Sequence, residues 1–138
     1  AFLDHRGEVR SGTAIEDSVK KRTDDPRGRL LAIFDVLDDW FTDDDFGRGS
    51  LIGMLLEAQP DSYIHSAITE QFSKVRAVIH KLAVDALLES PDEFSEIWHM
   101  LMKGAIVAEN EGRPQPALVA QRGAAALLGN WPTVPPAP

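Results

Sequence analysis

Apolar residues recur along most of this chain at helical rather than strand spacing. The longest run is Ile64, Ile68, Phe72, Val75, Ile79, Leu82 and Ala86, which advance by three or four positions along one face, a period that no strand sustains. Upstream, Leu30, Phe34, Leu37 and Phe41, flanked by Ile33 and Trp40, predict a helix that begins at Asp25-Pro26, an N-cap followed by proline. Between the two, Asp43-Asp44-Asp45 ends the first helix. Gly47-Arg48-Gly49-Ser50 then turns into a short, nearly all-apolar helix, Leu51 to Gln59, stopped before Pro60. Residues 1 to 21 read as a weakly amphipathic helix, because Phe2, Val9, Ile15 and Val19 are only loosely periodic and Gly7 and Gly12 interrupt them.

The last third carries the strongest pattern. Ser90-Pro91-Asp92-Glu93 has the form of a capping box with proline at the first helical position. From there Phe94, Ile97, Trp98, Leu101 and Ala105 trace one stripe, while Met100, Gly104 and Val107 form a second that the first set of neighbours does not cover. After Gly112-Arg113-Pro114, a helix from Ala117 to Leu128 is rich in small residues, and Gly129 is placed to close it. The expected architecture is all-α: an antiparallel bundle of about six helices, residues 1–131, whose last two form a four-helix dimer interface. Met100, Gly104, Val107, Ala108, Ala117, Ala120, Gly123, Ala124 and Leu127 are the interface candidates. Residues 132–138 form a proline-rich tail that cannot be helical, either disordered or draped on the surface.

Length and charge narrow the function. A chain of 138 residues, 43% hydrophobic, suits one domain with a real core. Its net charge of −8 repels phosphate, so this chain is not itself a nucleic-acid surface. There is no cysteine, hence no disulfide and no thiolate chemistry, which fits a reducing cytoplasm. No apolar run approaches membrane-spanning length and no signal peptide is visible. The opening Ala1-Phe2-Leu3 reads as the middle of a helix, and an upstream segment is expected.

Catalytic signatures are absent. Glu96 and His99 make one Glu-x-x-His step of the kind used in di-iron bundles, but no second copy exists, and a structural polar pair is the better reading. His65 and His80 lie about four turns apart on the long helix and cannot share an ion. The aspartates at 43–45 lack the alternate spacing of a calcium loop, and Gly47-x-Gly49 lacks the strand of a phosphate loop. The expectation is no enzyme, no metal and no cofactor. What remains is a set of aromatic and soft apolar side chains on several helices, which either fills the core or lines a pocket between helices: Phe34, Leu37, Phe41, Met54, Phe72, Val75, Trp98 and Met102, with His80 at its edge and Tyr63 nearby.

In order and spacing the chain resembles the C-terminal ligand-binding and dimerisation domain of TetR-family transcriptional regulators. The segments that carry the likeness are Ala1-Phe2-Leu3-Asp4-His5-Arg6; Asp25-Pro26-Arg27-Gly28-Arg29-Leu30-Leu31-Ala32-Ile33-Phe34-Asp35; Phe46-Gly47-Arg48-Gly49-Ser50-Leu51-Ile52, leading to Glu57; and Met102-Lys103-Gly104-Ala105-Ile106-Val107-Ala108. The resemblance implies a homodimer that senses a small, largely apolar effector. It also implies that operator DNA is read by an N-terminal helix-turn-helix module which this sequence does not contain. The linking helix would be residues 1–21, its loose packing allowing it to move. Two departures stand out: the reading module is missing, and Ser50 follows Gly49 where many relatives carry cysteine or proline. A helical protein–protein interaction module without a small-molecule ligand is the alternative.

Overall fold

The computed structural model describes residues 12–42 and 62–135, and among these the chain is helical with no strand. Five helices occur there: α1 (Gly12–Lys20), α2 (Pro26–Phe41), α3 (Tyr63–Asp85), α4 (Pro91–Asn110) and α5 (Pro116–Asn130). The expected short helix Leu51 to Gln59 falls outside the described residues, so the six-helix count rests on the sequence.

Local chemistry explains where α2 and α3 begin and where α4 ends. Asp25 caps α2, its carboxylate accepting the Gly28 N–H at 3.0 Å, with Pro26 at the first helical position. Ser62 caps α3 in the same way through the His65 N–H at 3.1 Å. The end of α4 is a Schellman motif: Gly112 takes φ +76, its N–H donates to Glu109 O, and Arg113 N–H donates to Ala108 O. A left-handed residue is needed at that point, and glycine adopts it without strain.

Two local expectations are corrected. Ser90 does not form the capping box with Glu93: it sits at φ 47, ψ 58 and makes no side-chain cap bond. A capping side chain needs an extended backbone to reach the free N–H groups, and the preceding turn forbids that. Residues 87–89 are paired with the tail, Glu89 N–H donating to Pro132 O at 2.9 Å and Val134 N–H donating to Leu87 O at 2.7 Å. The chain therefore turns into α4 through left-handed Leu87 and Ser90. Gly129 does not close α5 either; the helix runs on to Asn130, and Asn130 Nδ2 donates to Ala126 O.

The tail is draped rather than loose as far as residue 135. Trp131 Nε1 donates to Glu89 O, its ring meets Phe94 edge-on at 5.4 Å, and Leu88 bridges Thr133. The long periodic run of α3 behaves as read, with Ile68, Phe72, Val75, Ile79 and Leu82 all buried. Helix α5 lies along α2, and two long-range bonds bind them: Arg27 Nη2 to Leu128 O at 3.1 Å and Gln121 Nε2 to Leu31 O at 2.9 Å.

The described part of the first helix is not weakly packed. Ile15 and Val19, one turn apart, are each 1% exposed and belong to the core formed with α2 and α3. Loose periodicity misled because four residues of separation are enough to dock a nine-residue helix. Replacing Ile15 by Ala is expected to cost about 2–5 kcal/mol in urea unfolding; a cost near zero would show that α1 is not held by this contact.

Candidate functional site

Six of the residues expected to line a pocket, Phe34, Leu37, Phe72, Val75, Trp98 and Met102, do come together, but as one mutually packed core. Phe34 meets the Trp98 ring edge-on at 5.4 Å and Phe94 stacks on it at 5.1 Å. Phe41 packs at the edge of this core, Tyr63 is exposed, and Met54 lies outside the described residues. His80 stands apart from them on the outer side of α3, its Nε2 2.7 Å from Asp92 Oδ1.

Two concave surfaces lie on either side of α4. The first is an apolar groove of about 420 Å³ between α4 and α5, lined chiefly by Met100, Leu101, Gly104, Ala105, Ala108, Pro116, Val119 and Ala120, with Arg113 at its rim. Met100 is 63% exposed and Val119 60%, and Val107 also faces outward. A Cβ placed on Gly104 or Gly123 would meet nothing within 4 Å, so neither glycine is required by the chain's own packing. Of the interface candidates, Met100, Gly104, Val107 and Gly123 thus face out, while Ala108, Ala120 and Leu127 are half-buried. Ala117 and Ala124 are corrected: both are fully buried inside the chain. They lie seven positions apart on the stripe that ends at Leu128, and their small size lets α5 pack closely against the rest of the chain.

The second concavity, also about 420 Å³, is polar and runs along the seam of α3 and α4. Ser73, Arg76, Ala77 and His80 form its α3 wall, and Asp92, Glu93, Ser95 and Glu96 its α4 wall. The two helices face each other in rungs: His80 with Asp92, Arg76 Nη1 with Glu96 Oε1 at 3.6 Å, then the Phe72 ring edge-on to His99 at 5.6 Å. Lys103 Nζ lies over the same Phe72 ring at 5.6 Å. Glu96 and His99 therefore do not act as a pair; one turns to Arg76 and the other into the protein. Among the described residues no group of three or more acidic or histidine side chains converges as a metal would require.

His99 is the residue that pattern reading undervalued. It is 2% exposed, and its Nδ1 is sealed from solvent without a hydrogen-bond partner. Trp98 Nε1 and Gln71 Oε1 are in the same condition. Each such atom costs about 1–3 kcal/mol relative to a satisfied one. Burial, reinforced by the positive charges of Lys103 and Arg76, pushes the His99 imidazole down to about 3, so it is neutral at physiological pH. The signal was present: Ser95, His99, Met102 and Ile106 step by four, three and four, and this stripe is buried beside Phe94 and Trp98, whereas Ile97 and Leu101 are only half-buried.

Comparisons of the chain with protein-family models, curated proteins and solved structures give no match.

The depressed His99 value carries a pH dependence. The unfolded imidazole takes up a proton near its ordinary value of 6.5 while the folded one does not until about 3. Stability contributed by the neutral, buried ring is therefore complete above the upper value and is lost as pH falls between the two, with a limiting slope of about 1.4 kcal/mol per pH unit. Urea unfolding of His99→Phe should show a flatter dependence than the wild type over that window; parallel curves would mean His99 does not titrate this way.

Proposed function

We propose that this chain is the effector-sensing and dimerisation domain of a bacterial transcriptional regulator, a repressor that responds to a small, largely apolar ligand. The segments quoted above for their resemblance to TetR-family domains support the reading. The observation that carries it is the exposed apolar face of α4 and α5, where Met100, Gly104, Val107, Val119 and Gly123 lie open to solvent around a groove. Exposed apolar surface of this kind on a folded domain favours association. In this reading two copies in the cytoplasm apply these faces to each other in a four-helix interface about a two-fold axis. Operator DNA is contacted by a helix-turn-helix module outside this sequence, since the acidic chain, at −8, opposes phosphate.

The mechanism differs in one respect from a loosely attached lever. Because Ile15 and Val19 are docked among α2 and α3, a ligand that spreads those helices carries α1 with them. Coupling then comes from tight packing, and the ligand acts by binding the spread state more strongly than the closed one. A second reading has its own support: the aromatic set between α2, α3 and α4 is packed ring on ring, as expected of a ligand-free helical module that docks a protein partner through the same apolar face.

Light scattering across a concentration series separates them. The regulator reading expects a stable dimer at micromolar concentration for the wild type, and a monomer with unchanged helicity for Met100→Glu combined with Val119→Glu. Both side chains are exposed, so the substitutions load the interface and spare the fold. A wild-type monomer removes the dimer and leaves the interaction module.

A further inference from the structure

We propose that the turn into α4 is a two-state element, in which the tail strap and the unused capping box at Ser90 are alternatives and release of Trp131 switches the turn to its capped form. This inference goes beyond the regulator reading and does not depend on it.

The residues around Ser90 are locally set for one conformation, and the fold holds them in another. Ser90-Pro91-Asp92-Glu93 supplies a capping hydroxyl, a proline at the first helical position and a glutamate at the third. A residue before proline favours extended backbone, and an N-cap needs the same conformation. Asp25, before Pro26, obeys both rules at φ −78 and ψ 124 and caps α2. Ser90 sits instead at φ 47 and ψ 58, left-handed and uncapped, where a residue other than glycine is strained. Gln115 enters α5 with a similar backbone before Pro116, but glutamine is not a capping residue, so that turn has no second state to reach.

What holds Ser90 is the peptide in front of it. Glu89 N–H donates to Pro132 O at 2.9 Å, and Glu89 O accepts from Trp131 Nε1 at 2.6 Å. The tail thus takes both polar groups of the Glu89 backbone. The angle φ of Ser90 is the rotation between the Glu89–Ser90 peptide and α4, which the buried Phe94 and Trp98 fix in the core. Moving that angle from 47 to the −74 of the capping Ser62 swings the Glu89 carbonyl away from the indole. The indole bond and the capped backbone therefore exclude each other. One state keeps the tail bonds at the cost of strain at Ser90. The other gives them up for a relaxed Ser90 whose Oγ accepts the Glu93 N–H. Ser90 is exposed, so its hydroxyl reaches the capping position without displacing a core side chain.

The test uses the whole chain and the variants Trp131→Ala and Ser90→Ala, alone and combined. Amide hydrogen exchange at Glu93 reads the cap directly, and urea unfolding reads its contribution. In the wild type the Glu93 amide should exchange fast, and Ser90→Ala should change the unfolding equilibrium by less than about twofold, because the hydroxyl makes no cap bond. In Trp131→Ala the Glu93 amide should exchange roughly tenfold more slowly. Adding Ser90→Ala there should abolish that protection and raise the unfolding equilibrium constant roughly fivefold. Should Trp131→Ala not fold, Trp131→Phe, which keeps a ring against Phe94 and lacks only the N–H donor, is read by the same criteria. Equal Glu93 exchange with and without the indole, or the same cost of Ser90→Ala in both backgrounds, overturns the proposal.

Discussion

The indole of Trp98 is held between a phenylalanine of its own helix and one from α2, and the rest of the described structure is arranged around keeping that ring covered. Phe94 stacks on one face, Phe34 presents its edge, and Trp131 reaches the same cluster through Phe94. Aromatic side chains of this size supply a large share of the apolar burial in a small domain, and the pairwise geometry adds to it. The same placement has a cost, because the indole N–H finds no acceptor. Covering the ring from several elements is worth more to the fold than satisfying its one donor.

Helix α4 serves three environments at once. Phe94, Trp98, Met102 and Ala105 turn to the core; Met100, Gly104 and Val107 form an apolar exterior shared with α5; Glu93, Glu96 and, further in, His99 follow the polar seam with α3. A helix that only filled a core would need one apolar stripe. The two concavities are alike in size and opposite in chemistry, so anything that shifted α4 along its axis would be felt in both.

The sequence shows helix positions and inward faces well where one periodicity dominates, as in α2 and α3. Asp25-Pro26 is readable because cap and proline act locally, with no contribution from elsewhere in the chain. Ser90 has the same local signature and fails because its backbone is set by Pro132 and Val134, more than forty residues downstream. Ala117 and Ala124 show a second kind of limit: a small residue permits close approach of a helix but does not say which helix comes. His99 shows a third. A histidine within an apolar stripe looks like a boundary residue until the opposing helix is known, and Phe72 and Lys103 decide its environment together. Six of the candidate pocket residues, Phe34, Leu37, Phe72, Val75, Trp98 and Met102, share one spatial group; that they fill their own space depends on ring-to-ring geometry that spacing along a chain does not encode.

The bridge between Leu88 and Thr133 closes a ring of chain that contains all of α4 and α5. Closing so long a loop costs entropy that a single bridge and one indole bond cannot repay unless both helices are already docked. The tail contact therefore depends on α4 and α5 being docked, and works as a latch over the start of α4. Trp131 rides on that latch against Phe94, which makes its fluorescence a reporter of tail closure, distinct from the burial of Trp98 in the core.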